Sequence, residues 1–440
     1  MKILPGKSLR GEVHLPGDKS ISHRAILFSA LGEGPSRIEN LLIAGVTEKM
    51  LSAVKQFGVN WQLEGNSLIV EGKGFGGWTS PDEPIDCGNS ATTLRLLAGA
   101  CSAVGLSATL TGSPGLRSRP MDRIVNPLQL MGVQIQALGD QGRAPIQISA
   151  RADHQDLKTI HYKSPIASAQ VKSAVLIAGL SAEETIRYQE PSASRDHTER
   201  MLSCLGVNIQ QTDQQDGIVS YLMEPLQKNS LEPFNITIPG DISSASFLIV
   251  AALITPGSEI TIPNVGLNPT RTGLLEVLQE MGASISVQKR TMLGGEPAGE
   301  ITVRSSRLRG IDLNGARVVR MIDEIPIFAV AAAYAEGTTR VRGARELRYK
   351  ETDRLAAVRG ELRRMGVAVR ETRDGFDLMG GAPLQGGIVN SRGDHRMAMA
   401  LAAAGLAAQE PLQIVNSSII QESFPGFVSS LRQLGGEVEL

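Results

Sequence analysis

One short pattern recurs along the chain and limits what it can fold into. An apolar residue, a glycine and a small residue close a helical stretch and lead into alternating apolar and polar positions. The pattern occurs as Phe57-Gly58-Val59, Met131-Gly132-Val133, Leu205-Gly206-Val207, Met281-Gly282-Ala283, Met365-Gly366-Val367 and Leu434-Gly435-Gly436, with glycine steps of 74, 74, 76, 84 and 69 residues. Glycine is favoured just past a helix end, where the backbone turns left-handed. The alternation that follows, as in Val133-Gln134-Ile135-Gln136-Ala137, has the period of a strand. Six recurrences at one spacing mark a repeat architecture. Each unit is long enough for two helices and several strands. The pattern reads as strand–helix–strand–helix–strand–strand, three times in each half. First helices are predicted to begin near Ser20, Ser90, Ile166, Ser243, Asp323 and Asp394. Second helices are predicted to begin near Val46, Met121, Asp196, Pro269, Lys350 and Phe424. The last two strands of a unit can pair as a hairpin, so the sheets are mixed and the class is α/β.

A second internal copy divides the chain. Leu15-Pro16-Gly17-Asp18-Lys19-Ser20-Ile21-Ser22-His23-Arg24 is echoed by Ile238-Pro239-Gly240-Asp241-Ile242-Ser243-Ser244, 223 residues further on. A chain of 440 residues is too long for one ordinary core. Two domains are therefore expected: residues 17–239, and residues 1–16 together with 240–440. The two Pro-Gly-Asp turns would carry the chain across side by side, as a two-strand hinge. The first copy places a cation, two hydroxyls and a second cation at the start of an apolar helix. Unpaired N–H groups and the helix dipole make such a start an anion site. The second copy has the same turn without the cations.

Composition removes several function classes. The formal net charge of −1 gives no general attraction to nucleic acid or membrane. Any anion site must then be a local concentration of Lys and Arg. Aromatics at 4% are too few for base-stacking platforms. Cys87, Cys101 and Cys204 are widely spaced, which suggests neither a disulfide framework nor zinc, and buried reduced thiols are expected. No stretch of ~18 apolar residues occurs and the start lacks an apolar signal run, so a cytoplasmic protein is expected. Gly72-Lys73-Gly74-Phe75-Gly76-Gly77 matches a dinucleotide fingerprint, but Trp78-Thr79-Ser80-Pro81 follows instead of a helix. Gly17-Asp18-Lys19-Ser20 lacks the Gly-Lys pair of a P-loop. The six His show no metal-ligand spacing, and no GxSxG is present.

Polar clusters at helix starts remain. They are Gly88-Asn89-Ser90-Ala91-Thr92, Arg117-Ser118-Arg119-Pro120, Ser168-Ala169-Gln170, Ser192-Ala193-Ser194-Arg195, Ile322-Asp323-Glu324, Lys350-Glu351-Thr352-Asp353-Arg354 and Gly393-Asp394-His395-Arg396. Any one alone is an ordinary cap with a solvated charge. Recurring at the same place in successive repeats, they would aim equivalent helix ends at a common axis. Lys19, Arg24, Arg119, Arg195, Lys350, Arg354 and Arg396 would then gather in one cleft and require anions, which suits phosphate and carboxylate ligands. Asp323 and Glu351 in the same set can exchange protons with a substrate.

These segments, in this order from about residue 9 to the C-terminus, resemble the 5-enolpyruvylshikimate-3-phosphate synthases of the bacterial class II type. The resemblance implies the enolpyruvyl transferase fold: two similar domains, each of three βαβαββ units with pseudo-threefold symmetry. It implies transfer of the enolpyruvyl group of phosphoenolpyruvate to shikimate 3-phosphate with release of phosphate, in a cleft that closes on substrate. It implies that Lys19, Ser20, Arg24, Ser168, Gln170, Ser194 or Arg195, Asp323 and Lys350 hold shikimate 3-phosphate, mainly on the N-terminal domain. Lys19, Asn89, Ala91, Arg119, Gln170, Arg354 and Arg396 would hold phosphoenolpyruvate, with the C-terminal domain completing that site. Asp323 would take the proton of the attacking 5-hydroxyl, and Glu351 and Lys19 would serve proton transfer at the methylene carbon and bridging oxygen. No metal or organic cofactor is required, and a monomer is expected.

This chain departs from the family pattern at three places. The fourth residue of the Gly88–Thr92 motif is Ala91 where relatives commonly have Gly. Its methyl is expected to narrow the phosphoenolpyruvate pocket and give tolerance to glyphosate, a longer inhibitor. Gln421 and Glu422 precede Ser423-Phe424-Pro425 where many relatives have Lys, leaving Lys163, Lys172 or Arg392 as substitutes. Glu346 stands where some relatives place Asn. The competing readings are enolpyruvyl transfer to UDP-N-acetylglucosamine, whose family begins Ala-Lys-Asn where this chain has Asp18-Lys19-Ser20, and a non-catalytic phosphate-sugar binding protein, which would have lost Asp323, Glu351 or Arg396.

Overall fold

The computed structural model describes residues 1–151, 156–213 and 217–440. It contains six four-stranded sheets of one design. In the second repeat, Ile85–Asp86 runs parallel to Ala108–Thr111, which is antiparallel to Arg143–Ile148, which is antiparallel to the edge strand Ile135–Gly139. A helix joins the two parallel strands, as a parallel pair requires. The last two strands form a hairpin. The same order recurs in the other five sheets.

Three of these sheets borrow a strand from a distant part of the chain. Lys2–Leu4 pairs with both Leu412–Val415 and Glu437–Glu439, and so supplies the strand that the C-terminal repeat lacks. Arg10–Glu12 lies parallel to Glu259–Gly266 and opens the next sheet. Asn235–Thr237 lies parallel to Glu33–Glu39 and opens the sheet nearest the start. The chain consequently divides into a terminal unit (residues 1–18, 239–292 and 296–440) and a middle unit (residues 19–238, with 293–295).

Each unit has its own core. In the middle unit this core holds helices α1 (Lys19–Leu31), α2 (Ala91–Val104) and α3 (Ala169–Gly179). In the terminal unit it holds α4 (Ile242–Ile254), α5 (Ile325–Tyr334) and α6 (His395–Leu406). All residues of α4 and α6 are buried, and beyond the serines of α4 and the first turn of α6 both helices are apolar on every face. Helices α4, α5 and α6 touch one another pairwise, and α2 touches both α1 and α3. A Cβ at Gly99 would lie 2.6 Å from the Ala174 carbonyl oxygen, so α2 and α3 approach through the missing side chain. The second helices of the repeats are amphipathic and cover the outside; Gly45–Gln56 is one.

The glycines that reveal the repeat do what their position demands. Gly58, Gly132, Gly206, Gly282, Gly366 and Gly435 all adopt φ between +85° and +100°. Each stands two residues past the end of a second helix, directly after its C-cap. Four helix starts lie later than the sequence pattern predicts, one of them Phe427–Gln433, expected near Phe424 and preceded by the turn through Pro425 and Gly426. Helix α3 begins at Ala169 rather than near Ile166, because the Ser168 hydroxyl accepts the Val171 N–H. The helix Arg354–Arg364 begins after Lys350, because Asp353 caps the N–H groups of Leu355 and Ala356 at 3.1 Å each. The helix Gly273–Glu280 begins after Pro269, since Asn268 first folds back to accept the Thr270 N–H at 2.8 Å.

The two Pro-Gly-Asp turns lie side by side within the terminal unit. Gly17 and Gly240 form an antiparallel bridge; Asp18 N–H donates to the Pro239 carbonyl (2.8 Å) and Asp241 N–H to the Pro16 carbonyl (3.2 Å). The buried Arg271 guanidinium donates to both aspartates, at 2.9 Å and 3.3 Å.

The expectation of three buried thiols needs one correction. Cys87 and Cys101 are buried, and burial pushes the Cys101 thiol up to about 12. Cys204 is exposed, because it ends the short helix His197–Cys204 on its outward side. No helix among the described residues is long and apolar enough to cross a membrane.

Candidate active site

The polar helix starts of the middle unit are tied to one another by side chains. His23, one turn into α1, bonds through Nδ1 to the Lys19 carbonyl (2.7 Å) and through Nε2 to the Ser90 hydroxyl (3.3 Å). A carbonyl only accepts, so Nδ1 carries the proton and Nε2 accepts from Ser90. Ser90 in turn caps α2 through the Thr93 N–H (3.1 Å). The neighbouring Ala91 is almost fully buried. Gln170, at the start of α3, donates to Thr92 (2.9 Å) and accepts from Arg95. Arg95 also donates to the Pro120 carbonyl (3.0 Å), beside Arg119. Asn89 accepts from Ser113 (3.3 Å) and Ser168 caps α3. Arg95 is absent from the sequence-based site set. Its signal is its spacing: it lies four residues after Ala91, on the same helix face.

Two of the predicted ligand residues are turned inward. Arg24 is buried, and donates to Thr198 (2.6 Å), Ser173 (2.7 Å) and the Ser20 carbonyl (2.8 Å). It ties α1 to α3 and to the helix His197–Cys204. Ser194 is buried, with its hydroxyl donating to Glu190 at 2.7 Å and 2.9 Å. Arg195 beside it is partly exposed. Lys172 is no substitute for the missing C-terminal Lys, since its ammonium is fully buried against Glu190 and Glu199. Arg392 is committed to Glu361 at 2.7 Å. Lys163 ends an edge strand and is exposed. Glu422 closes the 3-10 turn Ser417–Glu422, and Glu346 lies in the 3-10 turn Arg345–Tyr349.

In the terminal unit the predicted residues converge on one cluster. Asp323 lies in the 3-10 turn Ile322–Glu324 that leads into α5. Its Oδ1 is 3.1 Å from Lys350 Nζ and 3.2 Å from an Arg354 nitrogen, and its Oδ2 is 3.9 Å from Arg396. Arg354 also reaches Glu351 and Asp394, each at 2.7 Å. Arg396, in the first turn of α6, donates to the Asp323 carbonyl (3.2 Å) and to Glu324 (3.4 Å). Burial alone would lower the Arg354 pKa, but Asp394, Glu351 and Asp323 outweigh it and hold the guanidinium well above its ordinary value. Lys350 and Glu351 precede their helix, so the irregular segment before the Asp353 cap delivers both side chains to Asp323 and Arg354. The cluster sets three cations, Lys350, Arg354 and Arg396, against four carboxylates, those of Asp323, Glu324, Glu351 and Asp394, a set able to move a proton to or from a bound substrate. Among the described residues no group of three His, Cys, Asp or Glu could hold a metal.

His23 makes one pH dependence calculable. Its pKa falls to about 4 from the ordinary 6.5, first because burial disfavours the cation and then because Lys19 and Arg24 repel it. The unfolded chain therefore binds a proton that the folded chain refuses. This contribution is complete above pH 6.5 and is lost as the pH falls toward 4, by about 3 kcal/mol at 1.36 kcal/mol per unit. Denaturation between pH 4 and 7 should show the slope, and His23→Asn should reduce it by nearly one proton. An unchanged slope would refute the assignment.

The sequence and the fold match known proteins. The family model described as EPSP synthase (3-phosphoshikimate 1-carboxyvinyltransferase) matches residues 3–431. The 3-phosphoshikimate 1-carboxyvinyltransferase of Thermosynechococcus vestitus is 47% identical over 98% of this chain and 96% of its own length. That of Synechococcus sp. is 45% identical over 99% of this chain and 96% of its own. The solved EPSP synthase of Acinetobacter baumannii superposes with a TM-score of 0.87 at 39% identity, covering 100% of this chain and 98% of that one. The enolpyruvyl transferase NikO from Streptomyces tendae, 20% identical, shares the fold with a TM-score of 0.79. The fold of two units, each of three βαβαββ repeats, is thus the enolpyruvyl transferase fold. The chain belongs to the EPSP synthase (3-phosphoshikimate 1-carboxyvinyltransferase) family.

Proposed function

We propose that this chain transfers the enolpyruvyl group of phosphoenolpyruvate to the 5-hydroxyl of shikimate 3-phosphate and releases phosphate. The observation that carries this reading is the convergence of Asp323, Lys350, Glu351, Arg354 and Arg396 within the terminal unit. Asp323 takes the proton of the 5-hydroxyl as its oxygen bonds to C2 of phosphoenolpyruvate. Protonation of the methylene carbon makes C2 electrophilic, and charge then develops beside fixed cations that need no reorganisation. The tetrahedral intermediate collapses when a proton leaves the new methyl group and the C2–O bond to phosphate breaks. Glu351 and Lys19 serve these two proton transfers. Arg354, Arg396 and Arg119 hold phosphoenolpyruvate, with Gln170 set by Arg95 and Thr92. Arg195, together with Lys19, Ser20, Ser168 and Lys350, holds the sugar acid and its phosphate. Arg24 orders this group from beneath.

The deciding assay is phosphate release from phosphoenolpyruvate. Release should require shikimate 3-phosphate and should not occur with UDP-N-acetylglucosamine. Release independent of shikimate 3-phosphate, or none, would remove the reading. The chain acts as a monomer in the cytoplasm, which size-exclusion chromatography and fractionation would check.

Ala91 sets the inhibitor response. Its near-complete burial beside Ser90 leaves its methyl little room to move. Ala91→Gly is expected to lower the inhibition constant for glyphosate by about tenfold or more, equivalent to ~1.4 kcal/mol of relieved crowding. Equal inhibition constants for the parent and the variant would overturn this.

A further inference from the structure

A buried charged network lies behind the Ser192–Asp196 turn and has no place in the chemistry above. Lys172, on α3 two residues after Gln170, has no exposed side-chain surface. Its Nζ lies 2.8 Å from Glu190 Oε1, 2.7 Å from Glu199 Oε1, 3.0 Å from the Tyr221 hydroxyl and 3.4 Å from the Ser194 carbonyl. Glu190 Oε1 accepts in addition from the Ser194 N–H (2.9 Å) and from Tyr221 (3.2 Å), and both its oxygens accept from the Ser194 hydroxyl. All three polar groups of Ser194, its N–H, hydroxyl and carbonyl, are thus held by one Lys–Glu pair.

Stability does not demand such a pair. Apolar residues of similar volume often serve a core as well as a buried ion pair does, since desolvation offsets the attraction. What the pair supplies is direction, because every bond to Ser194 has a fixed angle and the bonds to charged groups are the strong ones. The residue so fixed stands directly before Arg195.

We propose that Lys172 and Glu190 are positioning residues that lock the Ser192–Asp196 turn so that the Arg195 guanidinium meets the phosphate monoester of the substrate. This rests on the reading that Arg195 holds that phosphate. Tyr221 supports the pair from the adjacent strand, with its hydroxyl bonded to both members.

Steady-state kinetics of Glu190→Gln, Lys172→Met and Arg195→Ala in the full chain test it, with near-UV circular dichroism as the check on folding. Glu190→Gln and Lys172→Met should each raise the KM for shikimate 3-phosphate by about tenfold, the scale of one lost charge-assisted hydrogen bond. The KM for phosphoenolpyruvate and kcat should change by less than about threefold, a split that a general loosening of the fold would not produce. Arg195→Ala should raise the same KM, and adding Glu190→Gln to it should change little more, since the pair acts through Arg195. A folded Glu190→Gln variant with unchanged KM, while Arg195→Ala raises it, overturns the positioning role alone. An unchanged KM in Arg195→Ala overturns the phosphate assignment and the proposal with it. If both charge variants fail to fold, Tyr221→Phe decides. It keeps the ring and removes only the hydroxyl, so a rise of about threefold in the same KM supports the role and no change refutes it.

Discussion

Arg354→Ala should both unfold the terminal unit more easily and abolish turnover. The Arg354 side chain is 1% exposed and serves three carboxylates at once: Asp394, Glu351 and Asp323. Asp394 is fully buried and also caps α6 through the Arg396 N–H at 2.8 Å. Removing the shared cation leaves buried negative charge uncompensated, which costs about 3–5 kcal/mol when one partner of a buried pair is lost. Asp323 retains Lys350 at 3.1 Å. Denaturant titration should show the loss. Activity should fall by at least about a thousandfold, because the cation proposed to hold phosphoenolpyruvate and the alignment of both proposed proton-transfer acids disappear together. Arg354→Lys should recover part of the stability and little activity, since a point charge cannot serve three acids in fixed directions. A wild-type denaturation midpoint for Arg354→Ala would show that these acids do not depend on it.

Asp323→Asn should separate chemistry from folding. The amide keeps the shape of the carboxylate and can still accept from Lys350 and Arg354, now 3.1 Å and 3.2 Å from Oδ1. It cannot take a proton. Loss of a positioned general base typically lowers turnover by about 10²–10⁴-fold. We expect kcat to fall within that range, with calorimetric binding of shikimate 3-phosphate weakened by less than about tenfold, roughly one hydrogen bond. Loss of binding with preserved kcat would assign Asp323 to holding the sugar acid alone.

The repeat was legible because its marker is local. A glycine just past a helix end needs only its own left-handed backbone, and all six glycines adopt it. The clustered acids and cations of the terminal unit were legible for a related reason, since each sits at a helix start that the same repeat locates. Arg24, Lys172 and Ser194 were not legible in this way. A Lys or Arg in an apolar helix looks the same in sequence whether its charge meets solvent or a buried acid. The side-chain partners of Lys172 lie 18, 27 and 49 residues away, on another helix and two strands. Arg95 escaped notice because one partner, Gln170, belongs to the next repeat and the other, Pro120, offers only its backbone carbonyl.

The sequence by itself determined the number of repeats, their internal order and the family, since periodicity, end signals and ordered motifs are written residue by residue. Only the tertiary structure decided which strand completes which sheet and which charges face inward. Lys2–Leu4 could have paired with any exposed edge; it lies against Leu412–Val415 and Glu437–Glu439, where the last repeat is one strand short. Strand pairing and charge burial are set by contacts between residues hundreds of positions apart, and their free energy depends on a partner that local sequence does not contain.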